Sequence, residues 1–397
     1  MRYEIKSYRS AQIAYQSYLQ MKKIFLLLPV IALFFSCAAQ EMQITVENPT
    51  DFERVNETVE ITLADVESKF GKIAEPVLDL TDSKGNSYVY QITSDGKFIF
   101  QVNLKAKESE TFKIKKGTAK EPFEVKTYAR YIQERKDDFA WENDRVAFRI
   151  YGPALMPIDG PSNGIDAWYK RTNNLVIDKW YKNDLAGVAS YHNDNGEGQD
   201  DYKVGRSLGA GAMAPYVNDS LWLNENYVSH ELTDNGPIRS AFKVTYADLD
   251  VDGKKYGETR TFSIDAGSQL TKVIQEYKGV SGKFTVAAGL AKRGDSDSIV
   301  SKGNFVIYAE PYSPKVHNVY LAMVFPNGYN EVFVDTYKVK KTEFSHVLAV
   351  CEYKENTPLT YYTGYGWSKF GFSTLQDFEK YVEIFSASLK NPLKVTY

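Results

Sequence analysis

The chain has 397 residues, of which 43% are hydrophobic and 25% charged, enough apolar side chains to bury a sizeable core. Its 48 Lys+Arg against 51 Asp+Glu leave a formal charge of −3, so no basic footprint argues for a nucleic-acid partner. Aromatic residues reach 14%, including 29 tyrosines, a bias toward β-sheet and toward the flat amphipathic surfaces that sugars prefer.

Met21 opens a basic n-region, Lys22 and Lys23, followed by an apolar run from Ile24 to Phe35 that is too short to span a bilayer. The run ends in Phe34-Phe35-Ser36-Cys37, a small residue directly before a cysteine, as in a bacterial lipobox. Residues 1–37 therefore read as an upstream extension plus a lipoprotein signal peptide, with Cys37 the expected lipidation site. The chain is expected to be exported and held, in the periplasm or at the outer membrane of a Gram-negative cell, only through that lipid. Cys351, in Leu348-Ala349-Val350-Cys351, has no partner for a disulfide framework and reads as a small buried hydrophobe.

Residues 41–126 alternate strand-length apolar pieces with Asp/Gly/Asn turns, the pattern of a small antiparallel sandwich. From Tyr128 onward the β pattern continues while the loops lengthen and collect Trp, Tyr, His and Asp. Residues 127–397 read as one large antiparallel β-domain with a single helix near its end. Ser373 or Thr374 can cap that helix, with Asp377 at the capping-box position, and Leu375, Phe378, Tyr381, Val382, Phe385 and Leu389 form one apolar stripe.

The densest polar cluster runs from Ser190 to Arg206. His192 can act as a base or acid, Tyr191 and Tyr202 carry phenols, and Lys203 with Arg206 can converge on an anion. Its four acids (Asp194, Glu197, Asp200 and Asp201) do not follow the EF-hand spacing, and no metal or cofactor is expected. The glycines at 205, 209 and 211 do not form a dinucleotide fingerprint. Other candidates are His230, the aromatic–cationic stretch Trp168-Tyr169-Lys170-Arg171, and Trp367-Ser368-Lys369. Trp168 and Trp367 would stack on sugar rings while Arg171 and Lys369 meet acidic groups. No GxSxG, HExxH, CxxC or P-loop occurs.

Three motifs together carry a resemblance. They are Glu134 to Arg145, His192 with Gly196-Glu197-Gly198 and Asp201 to Arg206, and Gly364 to Lys369. With them the chain resembles a Bacteroidota lipoprotein family of polysaccharide-utilisation gene clusters, described as a domain of unknown function, over roughly residues 41–397. One branch is similar to the ulvan oligosaccharide dehydratases. Asn235-Gly236-Pro237-Ile238-Arg239 likewise resembles the galactose-mutarotase-type supersandwich. The resemblance implies an all-β fold: a small N-terminal β-sandwich followed by a large antiparallel β-supersandwich with one C-terminal helix. It also implies loss of water from a terminal glucuronic or iduronic acid of an acidic, possibly sulfated, oligosaccharide, giving a 4,5-unsaturated uronate.

That elimination needs cations on the carboxylate, a base for the C5 proton and an acid for the departing oxygen. Residue type and clustering assign Arg206 and Lys203 to the carboxylate, His192 or His230 as base, and Tyr202 or Tyr191 as acid. Three alternatives use overlapping residues. A polysaccharide lyase would expel an alkoxide, and a glycan-binding lipoprotein would need only aromatics and a groove. A hydrolase would need two carboxylates, with Glu142 and either Glu197 or Glu231 as the available pair.

Overall fold

The computed structural model describes residues 40–73, 77–117, 122–339 and 342–397, so the signal-like segment and Cys37 lie outside the described residues. Residues 41–397 form one compact unit, and none of the described helices is long and apolar enough to cross a membrane.

The first strand shows the local rule at work. In Glu41–Glu47 the alternate residues Met42, Ile44 and Val46 are buried while their neighbours are not. This strand joins Ser109–Lys116, Leu78–Thr81 and the distant Lys394–Thr396 in a four-stranded antiparallel sheet. A second sheet holds Arg54–Thr62, Lys97–Leu104 and Tyr90–Ile92. Ile44, Val46, Phe98, Phe100, Phe112 and Ile114 fill the space between the two sheets, with Val395 packed against them. The small sandwich thus borrows a strand from the far end of the chain, where the sequence pattern had placed all its strands within 41–126. A helix not anticipated from the sequence, Leu63–Phe70, closes one end and is capped by the Thr62 hydroxyl.

The rest of the chain is built around a nine-stranded antiparallel sheet. Its inner face carries Phe242, Phe262, Val273 and Tyr361, which share one core with two five-stranded sheets. One of these contributes Ala288 and Leu348. The other, formed by strands between Thr127 and Gln199, contributes Trp141, whose ring lies 4.9 Å from Phe262 and 5.1 Å from Phe242. The fold is therefore all-β and sandwich-like, with the expected C-terminal helix at Leu375–Lys390. Thr374 and Asp377 form its capping box, and Phe378 and Val382 bury its stripe on the outer face of the large sheet.

A second unanticipated helix, Ile177–Leu185, covers the outer face of the sheet that carries Trp141. Its N-terminus has no side-chain cap of its own. The Glu142 carboxylate, from a strand beneath, accepts from the Val176 and Ile177 amides at 2.8–2.9 Å and from the Lys170 ammonium at 2.7 Å. Glu142 and Lys170 are both fully buried, so this pair anchors a helix and faces no cleft. The hydrolase pairing of Glu142 with Glu197 or Glu231 fails for that reason. Glu197 is taken up by Lys179 at 2.7 Å, and Glu231 sits on an exposed edge strand.

The glycine-rich stretch after Arg206 also has a packing explanation. At Gly209 (φ +61°) a Cβ would lie 2.1 Å from the Ile165 carbonyl, where the chain crosses the neighbouring sheet and starts its next strand.

Candidate functional site

The site grows out of one face of the sheet beneath the Ile177–Leu185 helix. Along three neighbouring strands, alternate residues on this face are Asp138 and Ala140, Ala147 and Arg149, then Asp166 and Trp168. Ala140, Arg149 and Asp166 stand in one cross-strand row. Charged side chains thus occupy positions that period-two patterning assigns to a covered core.

Arg149 organises the cluster. Its guanidinium donates to Asp166 Oδ2 at 2.5 and 2.9 Å and to Asp200 Oδ2 at 2.8 Å, and lies 3.7 Å from Asp138. It also sits over the Tyr151, Trp168 and Tyr191 rings at 4.9, 5.0 and 5.8 Å. Arg135 reaches Asp138 from the rim at 3.3 Å. Tyr181 donates to Asp138 at 3.2 Å and Tyr151 to Asp166 Oδ2 at 3.0 Å, while Asp166 Oδ1 is buried with no hydrogen-bond partner among the described residues. Three buried carboxyls therefore face two guanidiniums. Burial pushes Asp138 up to about 6, against the pull of Arg149 and Arg135, and burial with the charge of Asp166 pushes Asp200 up to about 7. Burial thus biases the coupled carboxyls toward their protonated forms.

A pH dependence of stability follows. Asp138 and Asp200 bind protons more tightly folded than unfolded, where a carboxyl titrates at about 3.9. Their stabilising contribution is complete below that value and is lost as pH rises through about 6 and about 7. Between pH 4 and 6 their coupled titration therefore lowers stability as pH rises. Urea midpoints at several pH values should therefore decline less steeply in Asp200→Asn than in the parent; parallel curves would contradict the assignment.

His192 stands at the rim with its side chain 56% exposed. Its Nδ1 lies 3.0 Å from the Asp200 carbonyl oxygen and 3.6 Å from the Asp200 carboxylate. A carbonyl oxygen only accepts, so Nδ1 is the donor and, in the neutral ring, Nε2 carries the lone pair. Tyr191, packed 4.5 Å from the imidazole, is itself buried, with its hydroxyl accepting from Arg149 at 3.5 Å. It shapes the cluster and is closed to a substrate.

From Asp200 the chain runs directly into a second polar group. Tyr202 is buried under Arg293, whose guanidinium carbon is 4.6 Å from the ring centroid. The Tyr202 hydroxyl makes no well-formed hydrogen bond, and burial raises its pKa strongly. Like Tyr191, it presents no phenol to a cleft. Arg293 reaches Glu310 at 3.3 Å and donates to the Lys203 carbonyl oxygen. Lys203 is exposed, and its ammonium pairs with no carboxylate among the described residues.

Several remaining candidates do other work. Arg206 donates to the Leu223 and Asn224 carbonyls, which latches a loop and leaves no fork for a carboxylate. Trp168 is fully buried among Trp180, Tyr181 and Tyr191, so it is core and offers no stacking face. Trp367 is 1% exposed, donates from Nε1 to Val316 at 2.6 Å, and is closed in the same way. Lys369 lies 5.3 Å over that ring and donates to the Lys315 carbonyl at 2.8 Å. Arg171 is paired with Asp194 at 3.0 Å. His230 stacks on Tyr131 at 4.3 Å and contacts Phe139, a set of neighbours different from those of His192. Burial lowers its pKa. Asp194, Glu197, Asp200 and Asp201 each meet a cation: Arg171, Lys179, Arg149 and Lys315. Among the described residues no group of three or more His, Cys, Asp or Glu side chains is arranged to hold a metal ion.

Fold and site together define an all-β protein with a buried arginine–carboxyl cluster opening at a histidine. The chain belongs to the family described as Domain of unknown function (DUF4861), whose model matches residues 46–395. It is 30% identical over 403 residues to "Uncharacterized protein P7" of Formosa agariphila, with 95% of this chain and 100% of that protein aligned. Among solved structures, a protein in the glycosyl hydrolase family 38 from Enterococcus faecalis matches with a TM-score of 0.48 and 11% identity, over 90% of this chain and 47% of that one. An alpha-mannosidase from Enterococcus faecalis V583 matches with a TM-score of 0.45 and 10% identity, over 90% of this chain and 46% of that one. The chain spans about half the length of these two structures, both carbohydrate-active enzymes by title.

Proposed function

We propose that the protein is a carbohydrate-active dehydratase that eliminates water from the non-reducing-end uronic acid of ulvan-type oligosaccharides. The observation that carries this reading is His192: Nδ1 is tied to the Asp200 carbonyl, and the exposed Nε2 stands beside a buried arginine–carboxyl cluster. Nε2 takes the C5 proton, and the Asp200 carbonyl and carboxyl steady the resulting imidazolium. The released electron pair forms the C4–C5 double bond as the C4–oxygen bond breaks.

The departing hydroxide takes a proton from a phenol and leaves as water. Tyr151, partly exposed where Tyr202 and Tyr191 are buried, takes the proposed role of acid, and its hydroxyl has to release its hydrogen bond to Asp166 to do so. Lys203 and Arg293 supply positive charge for the substrate carboxylate, the role first given to Lys203 with Arg206. In this reading the chain is exported and anchored through Cys37.

The test incubates the purified chain with saturated, uronate-ended ulvan oligosaccharides and follows ultraviolet absorbance and mass in parallel. Rising absorbance with loss of one water per chain is the expected result. Rising absorbance with chain shortening would replace the dehydratase by a polysaccharide lyase. No change with any acidic oligosaccharide would overturn elimination chemistry altogether.

A further inference from the structure

On the outer face of the nine-stranded sheet, away from the inner core, a groove of about 860 Å³ lies between the strand Arg54–Thr62, the sheet and the C-terminal helix. Most of its charged lining is already matched. Arg54 is held by Glu57 at 2.7 Å and donates to the Asn391 carbonyl at 2.9 Å. Arg239 is held by Asp265 at 2.6 Å and Glu60 at 2.7 Å, and Glu60 also takes Lys97 at 2.5 Å.

Lys272 is different. It is half-buried on the groove floor, and among the described residues its ammonium has no carboxylate partner. Burial and the nearby Arg239 charge lower its pKa, against the pull of Glu60 and Asp265, which are themselves bonded to Arg239. Among the described residues Lys380, exposed on the helix wall, is likewise unpaired, and Glu53, an exposed acid of the lining, engages no cation.

Register makes the floor a designed-looking row. Ser263, Lys272 and Tyr362 are direct cross-strand neighbours on three adjacent strands, so their Cβ atoms are about 4.5–5.5 Å apart on one face. None of the three polar heads makes a side-chain hydrogen bond among the described residues. Phe385 lies edge-on to Tyr362 at 5.1 Å and Tyr381 follows it, giving the row an aromatic flank. A hydroxyl, an ammonium and a phenol in line beside aromatic rings suit a sugar that carries an oxyanion. A half-buried ammonium bonded to no carboxylate gains most from an anion that meets it directly.

We infer that this groove is a second oligosaccharide-binding site, with Lys272 as the anchor for a carboxylate or sulfate ester on the sugar and Tyr362 as its partner donor. The class of ligand rests on the carbohydrate reading given above, whereas the site is separate from His192.

The test acylates lysines of the full chain with acetic anhydride and compares labelling at Lys272 with and without sugar. The probes are a desulfated uronate oligosaccharide, a sulfated neutral-sugar oligosaccharide, a neutral oligosaccharide of equal length, and inorganic sulfate. At a concentration tenfold above Kd, an acidic oligosaccharide should cut labelling about tenfold. Whichever of the first two does so identifies the oxyanion, and the neutral sugar should not protect. Protection by inorganic sulfate at the same concentration would reduce the site to an anion site and overturn the sugar inference.

Calorimetric titration provides the second readout, with two sites expected in the parent and one in Lys272→Met. Equal stoichiometry and affinity in the two chains would also overturn the inference. Groove protection without elimination would break the functional reading alone, and elimination without protection would break this one alone.

Discussion

Replacement of His192 by alanine is expected to lower kcat on uronate-ended oligosaccharides by about 10²–10⁴-fold, the usual worth of a positioned general base. The fold should not notice. The imidazole is 56% exposed, and its polar contacts among the described residues are to the Asp200 carbonyl and carboxylate, while the backbone amide that donates to Ser190 is kept in the variant. Melting temperature and circular dichroism should match the parent, and KM should move little. Retained turnover in a folded His192→Ala chain would remove the histidine from the mechanism. His192→Gln serves as a second variant because it keeps a polar group at the rim without a comparable base.

Arg149→Met is the larger structural perturbation. The side chain is 3% exposed and is the shared partner of Asp138, Asp166 and Asp200. Its loss leaves three buried carboxyls with only Arg135 at the edge. Removing one partner of a buried ionic network costs about 3–5 kcal/mol, because the remaining charge is left uncompensated. Chemical denaturation should show a loss of that size near neutral pH and a smaller one at acid pH, where the orphaned carboxyls take up protons. A pH-independent loss would mean that packing of the guanidinium on Tyr151, Trp168 and Tyr191 is what matters.

Much of the fold could be read in the chain. Period-two strands, Asp/Gly turns and the Thr374–Asp377 cap announce themselves locally, and the structure has an all-β body with that helix at its end. The helices Leu63–Phe70 and Ile177–Leu185 escaped because they have only 8 and 9 residues, and the second takes its cap from Glu142 on a distant strand. Nor could the pairing of Lys394–Thr396 with the first strand be read, since register between remote segments leaves no local mark.

The site was only half legible. His192 was picked out by residue type in a polar loop, and the structure gives it a fixed Nδ1 and an open Nε2. Tyrosines and tryptophans mislead most, because the same rings serve sugar platforms and cores: Trp168 and Trp367 are core here. Arg149 and Asp166 did leave a signal, as charged residues at covered positions in the strands Phe148-Arg149-Ile150 and Ile165-Asp166-Ala167. Such charges inside an apolar alternation stand for either a burial penalty or a purpose.

The strand Lys394–Thr396 also bears on how the chain is made. The sheet that opens the described chain is finished by residues some 350 positions later, where Thr45 meets Thr396 and Glu47 meets Lys394. Whichever channel delivers the chain N-terminus first, the small sandwich emerges with one edge of Glu41–Glu47 unpaired and without Leu393 and Val395 against its core. That edge is closed only after the larger body has followed it. An exposed strand edge held open for so long is a docking point for other chains, so this sandwich is the part of the described chain most dependent on help while folding.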